Sequence, residues 1–153
     1  HAFVKTARGE RTLELPSSGG GLAFAPKGVR LAIARYNGVT LWFPNVTGKP
    51  EELSWKGSHV DLTLSPDGRF LVTAMQEPTL HGWRVVDGKN MRMSGYATKV
   101  RSMSWSAGGN CSFSTVSFGI PSPCTFSFVA GTIKCGLRAR KLQNSVSSVT
   151  VVR

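Results

Sequence analysis

A unit of 40 to 41 residues recurs in this chain, and it constrains the fold more than any other feature. Residues 22–28 (LAFAPKG) align with residues 62–68 (LTLSPDG) at a spacing of 40. A third version, residues 103–109 (MSWSAGG), follows 41 residues after the second, and Trp42 aligns with Trp83 at the same spacing of 41. Self-similarity at such a period indicates supersecondary units that stack on one another.

Each unit predicts four short strands joined by tight turns. The predicted strands of the clearest copy are 60–65, 69–75, 79–85 and 90–95. Alternation of apolar and polar residues gives each strand one core-facing side. Pro66 presets φ for the first turn of this copy, and Gly68 tolerates the positive φ that such a turn needs. With 17 Gly and 8 Pro in 153 residues, the composition favours an all-β fold of short strands.

The third strand of the unit carries a specific resemblance. Residues 77–83 (EPTLHGW) are similar to the Asp-Gly-Thr-Val-x-Leu-Trp run of the WD-repeat β-propeller family, with Glu77 in place of the Asp. Residues 37–42 (NGVTLW) fit the same run with one residue deleted. The resemblance covers residues from about 10 to 109. It implies a fragment of a β-propeller, with about two four-stranded antiparallel blades and flanking strands.

The family often ties a blade together through hydrogen bonds among a Trp, a hydroxyl, a His and an acid. In the second copy the resemblance assigns these roles to Trp83, Thr73, His59 and Glu77. The first copy has Ile33 in place of the hydroxyl, so its chain of hydrogen bonds cannot form. The structural blade positions that the resemblance implies are Trp42, Trp83, Thr73, Glu77, His59, Gly28 and Gly68.

The formal net charge of +11 raises the hypothesis of an anionic partner. Residues 1–110 carry 14 Lys and Arg and all 8 acidic residues, and these are scattered as on an ordinary solvated surface. The remaining residues carry 5 basic residues and no acidic one, with a cluster at 134–141. We therefore expect neither specific nucleic-acid binding nor membrane binding. No run approaches the eighteen or so apolar residues of a membrane span.

Motifs of catalysis or cofactor binding are weak in this sequence. The histidines, His1, His59 and His81, are too far apart for local metal-ligand spacing, and no nucleophile elbow accompanies them. We therefore predict no catalytic, cofactor or metal site. Residues 19–21 (GGG) precede a strand rather than a helix, which favours a loose connection between blades over a phosphate loop. Trp55 fits either a binding aromatic or a buried contact between blades.

The number and spacing of the cysteines bear on the redox conditions in which the protein is found. The three cysteines, Cys111, Cys124 and Cys135, form no Cys-x-x-Cys pair and leave one thiol over. This arithmetic suits neither a disulfide framework nor a zinc site. Free thiols, and with them cytoplasmic conditions, are the resulting expectation. The sequence begins at His1 with no apolar core of a signal peptide, which favours a fragment or a processed product.

The repeat stops abruptly after Gly109. From residue 111 onward there is no Trp and no acidic residue, and all three cysteines appear. We therefore divide the chain into partial propeller blades at 1–109 and an unmatched tail at 110–153. The tail is either an irregular β segment or an out-of-frame translation. The second interpretation is favoured because the register holds up to Gly109, and it predicts that another reading frame restores a Trp near position 124.

The resemblance implies a role as well as a fold. It favours a non-enzymatic protein-interaction scaffold, incomplete as given, whose partners are other proteins. A basic nucleic-acid-binding β protein is the alternative, and a propeller-type hydrolase is a weaker one. Binding that weakens steeply with salt would identify the nucleic-acid-binding alternative. A hydrolytic activity that is lost on changing His59 would identify the hydrolase.

Overall fold

The structure, a computed structural model, describes residues 1–6, 9–96, 98–105, 110–117, 120–129 and 132–136. These residues form antiparallel β-strands joined by turns, as the spacing of turn residues predicts. The strands are β1 (Ala2–Thr6), β2 (Gly9–Leu13), β3 (Gly19–Phe24), β4 (Leu31–Trp42), β5 (Glu51–Leu64), β6 (Phe70–Met75), β7 (Leu80–Arg84), β8 (Asn90–Met93), β9 (Val100–Trp105), β10 (Asn110–Ser117), β11 (Ile120–Val129) and β12 (Thr132–Gly136). The prediction of an all-β propeller fragment is confirmed.

Strand β5 connects two repeating units. Its first part, from Glu51 to Ser58, pairs with β4, and its second part, from His59 to Leu64, pairs with β6. The six-stranded sheet therefore has the order β3-β4-β5-β6-β7-β8. We call residues 19–58 the first unit and residues 59–93 the second unit.

The second unit has the four strands that the sequence predicts. The second part of β5 is followed by β6, β7 and β8, each antiparallel to the one before. Leu64 pairs with Leu71, and Leu71 pairs with Trp83 on the other side. Trp83 therefore lies on the third strand of its unit, as expected.

The first unit follows the same order with a tighter turn. Its β4 spans Leu31–Trp42, and Asn37 and Gly38, at φ of +65° and +144°, reverse the chain within it. Arg35 and Thr40 are hydrogen-bonded at 2.8 Å, whereas an extended strand would hold residues five positions apart far from each other. The second unit makes the equivalent turn at Pro78. Trp42 therefore lies on the returning half of β4, the counterpart of the third strand, as expected.

The turns that reveal the repeat are closely equivalent. The first lies between β3 and β4, and the second lies between β5 and β6. Gly28 and Gly68 have φ of +75° and +74°, in the left-handed region that glycine tolerates best. The closing backbone hydrogen bonds run from Ala25 N to Arg30 O at 2.8 Å and from Ser65 N to Phe70 O at 2.9 Å.

The glycines at 19–21 begin strand β3 and are not a loose connection between blades. A Cβ atom on Gly20 would lie 2.5 Å from the carbonyl oxygen of His59, and one on Gly21 would lie 2.9 Å from the Cα atom of Asp61. Both distances are shorter than side chains permit. The glycines let the backbone of β3 approach that of β5, so they bring the innermost strands of the two units together.

The core consists of apolar layers between successive sheets. One layer joins β1 to the first unit, one joins the two units, and one joins the second unit to β9. Their buried residues are Ala2, Val4, Leu31, Ile33 and Trp42 in the first layer, Ala32, Ala34, Val39, Leu41, Leu62, Leu71 and Trp83 in the second, and Val72, Ala74, Leu80, Met93 and Val100 in the third. Sheets that pack face to face in series are typical of propeller blades.

Beyond Gly109, the described backbone continues the sheet of β9. Strand β10 pairs with β9 and with β11, and β11 pairs with β12, all antiparallel. The boundary at residue 110 and the out-of-frame interpretation of the tail stay predictions. The nucleotide sequence is their test. The basic cluster at 134–141 lies mostly outside the described residues.

Candidate functional site

His59 occupies the point where β5 passes from the first unit to the second. Its ring is 1% exposed. The Nε2 atom lies 3.1 Å from the carbonyl oxygen of Trp55, and the Nδ1 atom lies 2.8 Å from Oγ1 of Thr73. Because a carbonyl oxygen only accepts, Nε2 carries the proton, and Nδ1 accepts the hydrogen of the Thr73 hydroxyl, which is shared with the carbonyl oxygen of His81 at 3.2 Å. Both ring nitrogens are thus held by protein atoms.

The structure brings three of the predicted blade residues together. The ring of Trp83, which is 1% exposed, lies 5.5 Å from that of His59, and Thr73 is fully buried beside them. Glu77 lies in the exposed connection between β6 and β7 and acts on His59 through its charge. Burial lowers the pKa of His59, while the Trp55 carbonyl and then the Glu77 carboxylate raise it. Gly28 and Gly68 lie apart from this group, in the turns described above.

His81 is a buried member of the same cluster that the sequence reasoning did not assign. Its ring stacks on Trp55 with centroids 4.0 Å apart and meets Trp83 edge-on at 4.4 Å. Burial, together with the smaller effects of the neighbouring His59 and Arg92 charges, lowers its pKa to about 4. Alternation along β7 puts residues 81 and 83 on one face, so the spacing from Trp83 contains the necessary information.

The first unit carries a different polar group at its centre. Arg35, which is 8% exposed, donates from Nε to Oγ1 of Thr40 at 2.8 Å and forms an ion pair with Glu52. The Thr40 hydroxyl also donates to Oε1 of Glu52 at 2.9 Å. Since the guanidinium is buried, it depends on this carboxylate, this hydroxyl and the carbonyl oxygen of Tyr36, at 3.0 Å, for its hydrogen bonds. The repeat pattern contains no indication of this triad.

A cavity of about 510 Å³ opens beside these two polar groups, where the first unit meets the second. Its wall combines aromatic side chains, both signs of charge and backbone from β5. The lining residues are Tyr36, Trp55, Lys56, Gly57, Ser58, Met75, Gln76, Glu77, Thr79 and Arg92. We call it the inter-unit cavity. Its size is that of a site for a small ligand or a few side chains of a peptide.

The tertiary structure brings the rings of His59 and His81 to 6.4 Å from each other, although the residues are far apart in sequence. Over the described part of the chain, no group of three or more His, Cys, Asp or Glu residues could hold a metal ion. Within the same ranges, no helix has the length and apolar character needed to cross a membrane.

Comparison with known proteins bears on the fold. The chain is similar to a chain in the crystal structure of a mitotic checkpoint complex, with a TM-score of 0.62 at 17% sequence identity. The similarity covers 88% of this chain and 43% of that chain, so this chain spans less than half of its structural neighbour. No family model and no curated protein matches the chain. Together with the stacked antiparallel sheets, the structural likeness supports a WD-like propeller fold.

Proposed function

We propose that this chain is part of a WD-repeat-like propeller that acts as a non-enzymatic protein-interaction scaffold. The observation that carries the proposal is the inter-unit cavity. It presents Tyr36, which is 52% exposed, beside the partly buried Trp55, on strands whose other faces lie in the apolar core. Exposed aromatics on a rigid framework are typical of surfaces that bind proteins. The structural neighbour comes from a protein complex, which is consistent with protein partners.

The state of His59 also favours a scaffold over a hydrolase. A general base must reach the proton of a substrate or water with a free nitrogen lone pair. The buried His59 instead gives both ring nitrogens to Trp55 and Thr73. Its role in this arrangement is to join β5 to β6.

Affinity capture with single-residue controls tests the scaffold proposal. The immobilised chain is compared with Tyr36→Asp, which alters the cavity wall, and with Val86→Asp, which alters a site that is 86% exposed outside the cavity. We expect a reproducible set of proteins retained by the unchanged chain and by Val86→Asp, and reduced by Tyr36→Asp. Absence of any such set from the folded chain would contradict the proposal.

Nucleic-acid binding is the second candidate, favoured by the net charge of +11. If it occurs, we expect it to be non-specific and to weaken by orders of magnitude from low to moderate salt. Titration of labelled oligonucleotides of different sequence over a salt series measures this. Binding that is salt-resistant and sequence-selective would place this candidate ahead of the scaffold.

A further inference from the structure

The inter-unit cavity carries two positive charges that form no ion pair with the residues that the structure describes. Lys56 and Arg92 line it, and no ion pair of the described residues involves either side chain. Four other arginines are paired with a carboxylate: Arg30, Arg35, Arg69 and Arg84. Arg35 belongs to the neighbouring polar group of the first unit, so the cavity differs from that group in having cations available to a ligand.

The apolar part of the cavity is held in place by contacts beneath it. Trp55 is stacked on the buried His81, and Met75 on the neighbouring strand is 4% exposed. Gln76 is fixed as well, because its backbone N–H donates to Ser58 O at 2.9 Å and its side-chain oxygen accepts from Lys99 Nζ at 3.1 Å. A ligand thus meets a preformed apolar floor, while the exposed side chains of Lys56 and Arg92 are ordered on binding.

We propose that the inter-unit cavity binds an acidic linear peptide segment of a partner protein, a proposal that rests on the scaffold function and specifies its ligand. Asp or Glu side chains of the segment pair with Lys56 and Arg92, and an apolar side chain packs on Tyr36 and Trp55. The chain's net charge of +11 steers such a segment toward the protein.

Glu77 favours a peptide over a nucleic acid as the occupant. Its carboxylate lines the cavity along with the two cations. The evenly spaced phosphates of a nucleic acid cannot avoid this negative charge. A peptide places its acidic side chains at chosen positions and offers backbone N–H groups that donate to a carboxylate.

Fluorescence anisotropy with a defined probe tests the proposal. The probe is a labelled peptide of alternating Glu and Leu, and the reference peptide has Gln in place of every Glu. We expect the Glu peptide to bind the unchanged chain at least about tenfold more tightly than the Gln peptide at moderate salt. The variant Lys56→Glu with Arg92→Glu should lose this preference. Equal binding of the two peptides to the unchanged chain overturns the proposal.

The matched control is Lys27→Glu with Lys49→Glu, which makes the same change in net charge. These lysines lie in the connections before and after β4, at the end where Leu41 pairs with Glu51, whereas the cavity is at the end where Tyr36 pairs with Ser58. We expect the control to weaken peptide binding less than about threefold, through long-range attraction alone. An equal loss of peptide affinity in both double variants would mean that the peptide is attracted by net charge alone, and would overturn the proposed binding site.

Two further measurements keep the outcome clear. The first uses the neutral double variant Lys56→Gln with Arg92→Gln. Its thermal unfolding, compared with that of the unchanged chain, shows whether weaker peptide binding comes from lost contacts or from a loss of folding. An unlabelled thymidine oligonucleotide serves as competitor at moderate salt. Displacement of the peptide by lower concentrations of oligonucleotide than of unlabelled peptide would overturn the peptide assignment in favour of nucleic acid.

Failure of this proposal is distinguishable from failure of the scaffold function. If affinity capture retains proteins and Lys56→Glu with Arg92→Glu changes neither their retention nor peptide affinity, the scaffold stands and the acidic-peptide site is wrong. If no protein is retained while the folded chain still binds the Glu peptide through Lys56 and Arg92, the cavity chemistry holds and the scaffold role fails.

Discussion

The two units share one repeat but are stabilised by different chemistry. The second unit joins its innermost strands through a neutral hydrogen bond between His59 and Thr73. The first unit has Ile33 in the position of Thr73, and its polar centre is the ion pair of Arg35 with Glu52. In both units the polar side chain at the centre is hydrogen-bonded to protein atoms. The two units of this chain therefore share a hydrogen-bonded centre and apolar faces, and not one particular set of side chains.

The two tryptophans show which part of the repeat is most constrained. Trp42 follows a tight turn within β4 and Trp83 follows the longer turn at Pro78, yet each ring packs in the layer that faces the preceding sheet. The turn differs between the units while the buried face does not. Burial of a large aromatic ring contributes more free energy than the geometry of one turn.

The largest expected effect comes from removing these rings. Trp83→Ala should lower the free energy of unfolding by about 3 to 5 kcal/mol, because it leaves a cavity among Leu71, His59 and His81. Trp42→Ala should cost less, since its ring is 6% exposed and packs in a smaller apolar layer. Urea denaturation followed by circular dichroism measures both. A greater loss for Trp42→Ala would reverse our ranking of the two units.

The next effect is a pH dependence confined to the second unit. The pKa of His81 is about 4 in the folded chain and near 6.5 when unfolded, so the unfolded chain takes up the proton first as pH falls. The free energy of unfolding therefore contains a contribution from neutral His81 that is fully present above pH 6.5. As the pH falls from 6.5 to 4, this contribution is lost progressively, by about 3 kcal/mol at most.

Denaturation at a series of pH values, with His81→Phe as the reference, isolates this contribution. Phe cannot titrate but retains an aromatic ring between Trp55 and Trp83. We expect the slope of unfolding free energy against pH to become smaller in His81→Phe. An unchanged slope would show that another group governs the acid sensitivity.

A smaller loss is expected from the hydrogen bond at the centre of the second unit. Thr73→Val keeps the shape of the side chain but removes the hydroxyl, so the buried Nδ1 of His59 loses its donor. The expected cost is about 1 to 3 kcal/mol. The control is Thr63→Val on the partly buried part of β5, which should change stability by less than about 0.5 kcal/mol. Equal effects would mean that the His59 contact contributes nothing specific.

The smallest effect concerns the turns, where two of the side chains that differ between the units form a hydrogen bond in the second turn. Ser65 Oγ donates to Oδ1 of Asp67 at 2.6 Å and accepts from Phe70 N at 2.9 Å, and the hydrogen bond from Ser65 is the main reason that the pKa of Asp67 falls to about 2. The first turn has Ala25 and Lys27 in these places. Ser65→Ala should therefore cost about 1 kcal/mol.

The reverse exchange sharpens the comparison. Ala25→Ser with Lys27→Asp transfers the second turn's side chains to the first, and should raise the unfolding free energy by up to about 1 kcal/mol. Urea denaturation with a constant slope checks it. A loss of stability would indicate that the first turn, despite its matching backbone, has no room for the second turn's hydrogen bonds.

Much of the fold could be predicted from local residues. Pro and Gly at fixed spacing locate the turns, and alternation locates the strands of the second unit to within one to two residues at most ends. The residues of the candidate site could be predicted less well from the sequence. The spacing from Trp83 points to the face of His81, but nothing local indicates that Trp55 stacks on it or that Arg35 meets Glu52, because these partners are distant in sequence.

The sequence by itself determined the repeat, the all-β class, the turns and the buried tryptophans, since each depends on backbone preferences or on apolar periodicity within a few residues. Only the tertiary structure decided that Arg35 pairs with Glu52 and that β3 packs against β5 through Gly20. It alone also placed Lys56 and Arg92 around one cavity. Long-range packing and the pairing of buried charges set these features, and their free energies depend on neighbours that no short stretch of sequence identifies.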